Sequence, residues 1–283
     1  MERYWQMTYQ KYVTKIKKVK ILILTTQILL LFIILFLWQY LSDKNIINSF
    51  IMSSPKNIIK TIINLYKENN LFIHIYTTIK ETIISFAITS TLSLIISIIL
   101  YYNIFLSKVL DPYLTLLNSL PKVALGPIII IWMGANIKSI ITISILISII
   151  ISIQTIYNGF TRTDELKIKL LKTFNANKKE ILINLVLPSN KTTIINTFKI
   201  NISMCLIGVI TGEFLTSKAG IGYLILYGSQ VFNLNLVMSG IFILLIISFI
   251  MYKLISLKQN KKTWLLTLFY LLKSFINIFL TNP

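Results

Sequence analysis

Six long apolar runs are the feature that most limits what this chain can fold into. They cover residues 21–42, 82–107, 123–137, 139–161, 192–217 and 231–252. Most approach or exceed the roughly 20 residues that a helix needs to cross a bilayer, and only Lys199 and Glu213 interrupt them with a charge. The shortest run is flanked by Lys122 and Lys138, whose long side chains can reach the interface. The sequence therefore predicts an all-α membrane protein with about six transmembrane helices.

The charge balance resembles that of a nucleic-acid-binding protein, but the apolar content does not. The chain has 28 Lys or Arg against nine Asp or Glu, a formal net charge of +19, and is 55% hydrophobic. A soluble domain cannot bury so much apolar surface, and the same content excludes a disordered chain. Cys205 is the only cysteine, so no internal disulfide forms. His74 is the only histidine and the few acids are mostly isolated in loops, which argues against a His-based metal site and an embedded enzyme.

The distribution of basic residues predicts the orientation. Lys and Arg cluster in residues 1–20, in the loop at 162–191 and after residue 252, which an even number of spans places on one side. By the positive-inside rule that side is the cytoplasm, where the charge also favours anionic lipid. We expect the first span to be retained rather than cleaved as a signal peptide. The loop at 43–81 then lies outside, with an amphipathic helix at 55–80 on the surface.

Three regions follow from this topology. Residues 1–20 form a basic cytoplasmic N-terminus, 21–257 a six-span domain and 258–283 a tail. The tail contains an apolar stretch at 264–280, which we expect to be an interfacial helix, with a seventh span as the alternative.

The loop at 162–191 is predicted to form two short helices around a turn. Thr163-Asp164-Glu165 has the pattern of a helix N-terminus, and Asn175 tolerates the left-handed conformation that ends a helix. A second helix spans 178–186, and Pro188 marks the boundary before the next span. Four apolar residues are expected on one face of the first helix: Leu166, Leu170, Leu171 and Phe174.

Two further segments combine apolar residues with helix-breaking ones. Residues 120–134 contain two prolines and two glycines, which predicts a bent or broken membrane helix. Residues 207–225 read I-G-V-I-T-G-E-F-L-T-S-K-A-G-I-G-Y-L-I, with Glu213 as the only acid inside a predicted span. Glu213 is either a pathway or gate residue, or a structural anchor that pairs with Lys218 or caps the turn at 220–222.

The loop resembles the coupling loop of ABC-importer permeases. That family's pattern is Glu-Ala-Ala, three residues, Gly, nine residues, Ile, any residue, Leu-Pro. The spacing and the final Leu187-Pro188 match, whereas Lys169 stands at the Glu, Leu170 and Leu171 at the alanines, Asn175 at the Gly, and Leu185 at the Ile. The segments at 120–134 and 207–225 are similar to runs in the nitrate/sulfonate/taurine-type permeases, in the same order. The resemblance covers roughly residues 20–257.

This resemblance implies a type I ABC-importer permease in a bacterial cell membrane. It implies a homodimer, a cytoplasmic ATPase dimer and an extracellular or periplasmic binding protein as partners. The chain has no G-x-x-x-x-G-K-[ST] sequence, so ATP would bind the partner ATPase and no cofactor is expected here. The solute would be a nitrate-, sulfonate- or taurine-like anion, or a small molecule resembling a thiamine precursor. The residues expected to contact or couple to the ATPase are Lys169, Leu170, Leu171, Phe174, Asn175, Ala176, Leu187 and Pro188. Pathway or gate candidates are Pro127, Trp132, Gly212 and Glu213.

One alternative stays open. The chain could be an interaction or sensor protein that resembles a permease without transporting a solute. A neighbouring gene for an ATPase and one for a binding protein would argue against it.

Overall fold

A computed structural model describes residues 2–46, 52–68 and 70–259, and this part of the chain is helical throughout. The helices are α1 (Glu2–Asp43), α2 (Pro55–Lys67), α3 (Leu71–Tyr102), α4 (Ile104–Ser119), α5 (Gly126–Met133), α6 (Ile137–Thr161), α7 (Glu165–Thr173), α8 (Lys178–Ile181), α9 (Leu187–Ser189), α10 (Lys191–Thr216), α11 (Ile221–Gln230) and α12 (Leu234–Gln259). A 3₁₀ turn at Lys122–Leu125 precedes α5, and a π turn at Leu182–Val186 joins α8 to α9.

Five of these helices are long and apolar enough to cross a membrane. They are Tyr12–Asp43 of α1, then α3, α6, α10 and Leu234–Ser256 of α12. A sixth crossing is available if α4 and the segment Lys122–Met133 act as one span, although the two are bent by 87° relative to each other. The predicted count of about six is thus met within the described residues.

The bent segment corrects one predicted span. We expected 123–137 to cross as a short helix of its own, but α5 ends at Met133 and forms only one arm of a bent pair. Pro112 lies inside α4, and Gly134 ends α5 with a φ of 81°, a backbone conformation that favours glycine. The prediction that residues 120–134 form a broken helix is confirmed.

The beginning of α3 corrects a second prediction. The expected amphipathic helix at 55–80 is two elements, because α2 ends at Lys67 and α3 already begins at Leu71. Leu71 is buried, and Ile75 and Ile79 pack against the same apolar cluster as residues of α11 and α12. These contacts make the first turns of α3 part of the bundle. Glu81 therefore lies inside this helix and not in an outer loop.

The centre of the bundle is formed by α3, α6 and α10. Hydroxyl side chains line the seam between α3 and α6, where Ser97 donates to the carbonyl oxygen of Ile153 at 3.1 Å. Helix α10 approaches α6 through Gly208, where an added Cβ would collide with the Cα of Ser144. Such small-residue contacts are typical of helices packed within a membrane. The predicted tail helix at 264–280 lies outside the described residues.

Candidate functional site

The loop between α6 and α10 forms the two short helices that its sequence predicts. Asp164 begins α7 by accepting a hydrogen bond from the Leu166 backbone N–H at 2.9 Å. Asn175 follows α7 with a φ of 56°, which confirms the predicted left-handed residue. The Ala176 N–H donates to the Leu171 carbonyl at 3.1 Å and closes the turn. Asn177 and Glu180 then form a reciprocal capping box at 2.9 Å in both directions.

The apolar side chains of this loop divide into an anchored set and an exposed set. Leu171 and Ala176 pack against a core cluster that includes Phe160 and Leu182. The exposed set, which we call the loop crest, is formed by Leu166, Leu170 and Phe174; Leu170 is 56% exposed and Phe174 is 74% exposed. The predicted single apolar face is therefore wrong for Leu171.

The other predicted docking residues divide in the same way. Lys169 and Asn175 are exposed, as is Pro188 at the start of α9. Leu187 is only 1% exposed and belongs to the core cluster, so it anchors the loop. A further anchor, which the sequence did not reveal, is Asn190, whose amide donates to the Thr163 hydroxyl at 2.9 Å across the base of the loop.

At the opposite end of α10, three side chains complete the beginning of α11. The N–H groups of the first helical turn have no partner within the helix. Here the Gly220 N–H donates to His74 Nδ1 at 3.0 Å, and the Ile221 N–H donates to Thr78 Oγ1 at 2.8 Å. The Gly222 N–H donates to Glu213 Oε2 at 2.6 Å. We call His74, Thr78, Glu81 and Glu213 the cap cluster.

Glu213 is the centre of the cap cluster. Its side chain is fully buried, and its second oxygen, Oε1, accepts the Thr78 hydroxyl at 2.6 Å. A Cβ on Gly222 would lie 2.7 Å from Glu213 Oε2, and one on Gly220 would collide with the same carboxyl group. Glycines at these positions therefore leave the space that the carboxylate occupies. Glu213 therefore caps the turn at 220–222, as one alternative predicted, while Lys218 is exposed.

Glu81 brings a second acid into the cap cluster. It is 2% exposed, and its carboxyl group is close enough to that of Glu213 for the two to interact. A hydrogen bond between two carboxyl groups needs one proton between them, and Glu213 already uses both its oxygens as acceptors. We therefore expect Glu81 to be the donor. Its Oε2 atom has no hydrogen-bond partner. The prediction that Glu213 is the only acid inside a span is wrong.

A comparison with known protein families assigns the chain. The family described as "Binding-protein-dependent transport system inner membrane component" matches residues 89–259, a region that contains both the loop and Glu213. The chain belongs to this family. It is therefore a permease subunit of an ABC transporter, and its homologues are transport proteins rather than enzymes.

Individual relatives are distant but cover most of the permease. A Haemophilus influenzae protein named "Probable ABC transporter permease protein" is 25% identical over 84% of this chain and 96% of the relative. The formylaminopyrimidine transport permease protein of Halalkalibacterium halodurans is 26% identical over 69% of this chain and 77% of its own. The taurine transport system permease protein of Escherichia coli is 17% identical over 77% of this chain and 82% of its own.

The predicted pathway residues lie on two helices that contact each other, α10 and α5. Gly212 and Glu213 are buried in α10, and a Cβ on Gly212 would lie 2.9 Å from the Cα of Ile140, which makes it a packing position. Pro127 and Trp132 lie on α5, where Trp132 is 79% exposed. A pathway role for any of the four stays a prediction.

Thr78 and Glu81 were not predicted as site residues, and no role in a site was predicted for His74. The signal that could have found them is their spacing, because positions 74, 78 and 81 recur on one face of a helix. Within the described residues no group of His, Cys, Asp or Glu could hold a metal ion. Cys205 is buried, as predicted, beside the hydroxyl of Ser148 at 3.3 Å.

Proposed function

We propose that this permease forms the solute path of an ATP-driven importer as a homodimer. In this proposal the loop at 162–191 docks onto a cytoplasmic ATPase dimer, and a binding protein delivers solute to the opposite, outer end. The N-terminus and the loop then lie in the cytoplasm, as their basic residues favour. Membership of the binding-protein-dependent family supports this arrangement.

The loop crest is the observation that carries the proposal. Leu170 and Phe174 are one turn apart and both exposed, although burying a side chain of this size stabilises a protein by about 1.5–3 kcal/mol. Lys169 and Lys172 flank them and are exposed as well. An apolar crest on a firmly anchored loop is suited to insertion into an apolar groove of a partner, with the lysines meeting acids at its rim.

The anchoring also supplies a mechanical connection. Phe160 at the end of α6, Ile194 and Phe198 in α10 and Leu182 in the loop belong to one buried cluster. A displacement of the loop by the ATPase therefore acts on α6 and α10 together, because a close-packed core resists local deformation. In the proposed cycle, ATP-driven closure of the ATPase dimer favours one of two bundle arrangements, and hydrolysis restores the other.

The relatives suggest the range of solutes. Their names include a formylaminopyrimidine permease and a taurine permease, so both a thiamine-precursor-like molecule and a sulfonate-like anion are candidate cargo. In each case the solute would be small and polar.

Co-purification with a co-expressed partner ABC ATPase tests the proposal. Phe174→Asp places a charge at the centre of the crest, and we expect it to abolish retention of the ATPase and ATP-dependent uptake. Phe232→Asp is the matched control, because Phe232 is 75% exposed between α11 and α12, at the other end of the bundle. Wild-type retention with Phe174→Asp would refute the docking site. Retention without any ATP-dependent uptake by the wild-type chain would favour the alternative of a sensor or interaction protein.

A further inference from the structure

A cavity of about 700 Å³ opens beside the cap cluster. Its walls come from α2, the beginning of α3, the turn before α11, α11 itself and the beginning of α12. This volume is typical of pockets that bind small organic ligands, which range from roughly 300 to 1,000 Å³. Because α11 forms one wall, the cavity and the cap cluster share a structural element.

Three stacked rings line one side of the cavity. His74 and Tyr223 have ring centroids 5.9 Å apart, and Tyr223 and Tyr227 have centroids 6.1 Å apart, each pair inclined by only 20°. The stack begins at the half-buried His74 and ends at Tyr227, which is 46% exposed. Offset stacking of this kind is the arrangement in which aromatic rings attract each other, and a planar ligand can extend it.

The charges and polar groups of the lining restrict the ligand further. Glu68 and Lys218 are the charged side chains that line the cavity within the described part of the chain, and their charges cancel. A pocket built for an anion would carry an excess of positive charge. Because His74 Nδ1 accepts the Gly220 N–H, the neutral imidazole carries its proton at Nε2, which provides a donor beside the stack. Four asparagines, Asn64, Asn70, Asn233 and Asn235, add amides, which can both donate and accept.

From this geometry we infer that the cavity binds a small planar heteroaromatic solute without net charge, stacked on Tyr227 at the open end of the three rings. The inference rests on the proposed function and deepens it by naming the class of solute that the permease receives at this end. A heteroaromatic ring supplies a face for Tyr227 and polar edges for Asn64, Glu68 and Lys218. A nitrate or sulfonate anion has no ring face and carries a charge that the balanced lining does not complement.

A solute in the cavity would also contact a helix that is hydrogen-bonded to the core of the bundle. Tyr223 lies in the first turn of α11, whose N–H groups are held by side chains of α3 and α10. A solute stacked on Tyr227, in the same helix, therefore contacts the element that the cap cluster joins to two core helices. His74 belongs to both sites, because its ring begins the stack and its Nδ1 atom completes the cap.

Direct binding to the full chain in lipid nanodiscs tests the inference without the ATPase. The probes are two neutral aminopyrimidines, cytosine and 2-aminopyrimidine, with taurine as a non-planar zwitterion and ethanesulfonate as an anion. We expect the pyrimidines to bind and the other two not to bind at the same concentration. Tyr227→Leu and Tyr223→Leu should each weaken pyrimidine binding about tenfold, the effect of losing one aromatic stacking partner.

Tyr66→Leu is the matched control, because Tyr66 lies on α2 and is exposed but does not line the cavity. Tyr227 is the more exposed of the two tyrosines, so its substitution decides the result if Tyr223→Leu fails to fold. Failure of both pyrimidines to bind at millimolar concentration, tighter binding of taurine or ethanesulfonate, or unchanged binding in the tyrosine variants would each overturn the inference. None of these results would affect ATPase retention through Phe174, so the proposed function is tested separately.

Discussion

The helices that adjoin the two ends of α10 are capped in opposite ways, by neighbouring residues at one end and by distant residues at the other. At the loop end, Asp164 and Asn177 cap the short helices that directly follow them, so every partner is within three residues. At the α11 end, the N–H groups of Gly220 and Ile221 are satisfied by His74 and Thr78, which are more than 140 residues away in the chain. The loop end can therefore form its turn locally, whereas the α11 end exists only once α3 and α10 are packed together.

Among the substitutions that test this difference, Gly220→Ala is expected to have the largest effect on stability. Gly220 has a φ of 122°, and an added Cβ would collide with the carboxyl group of Glu213. Backbone strain and overpacking each cost about 1–3 kcal/mol, so we expect a loss of about 3 kcal/mol or more in the free energy of unfolding, measured by denaturant titration in detergent. Gly126→Ala is the control, because its Cβ would meet only the end of the flexible Leu215 side chain, at 2.6 Å. Equal losses for the two variants would contradict the special role of the cap.

Exchanging the two acids for amides is the next largest test. Glu213 accepts hydrogen bonds on both oxygens, so Glu213→Gln turns an amide N–H towards the Gly222 N–H or the Thr78 hydroxyl. A buried donor left unsatisfied costs about 1–3 kcal/mol, and we expect a loss of that size. Glu81→Gln keeps a donor towards Glu213 and should change the free energy of unfolding by less than about 1 kcal/mol.

The same unfolding titration checks both acids. If Glu81→Gln were as destabilising as Glu213→Gln, the assignment of Glu81 as the donor would be wrong. Transport by a Glu213→Gln variant that still folds would add that this carboxyl group serves structure rather than a gate.

The contrast between the ends also explains what the sequence could predict. Asn175 was recognised from the loop alone, because its left-handed turn depends on neighbours within a few residues. The apolar runs likewise predicted the helices of the bundle core. The prediction that Glu81 lies in an outer loop was wrong. Lys80 and Glu81 interrupt the apolar pattern, and the residue that Glu81 faces inside the bundle, Glu213, is distant in sequence. The prediction of a separate span at 123–137 was wrong because Pro121 and Gly134 interrupt the apolar run, so its helix begins at Gly126 and ends at Met133.

The most local expected effect on stability is at the loop end, with Asn175→Val. Valine is β-branched and resists a φ of 56°, at a cost of about 1–2 kcal/mol confined to the turn between α7 and α8. Because Phe160 and Leu182 anchor the loop from below, we expect the bundle to stay folded while the crest is displaced and ATPase retention falls. Asn175→Gly is the control and should retain the ATPase as the wild type does, since glycine adopts this conformation freely.

Retention measured by co-purification separates the two ends: Gly220→Ala should lower bundle stability, and Asn175→Val should lower ATPase association at nearly unchanged bundle stability. Wild-type retention by Asn175→Val would mean that the crest docks without depending on the turn beneath it.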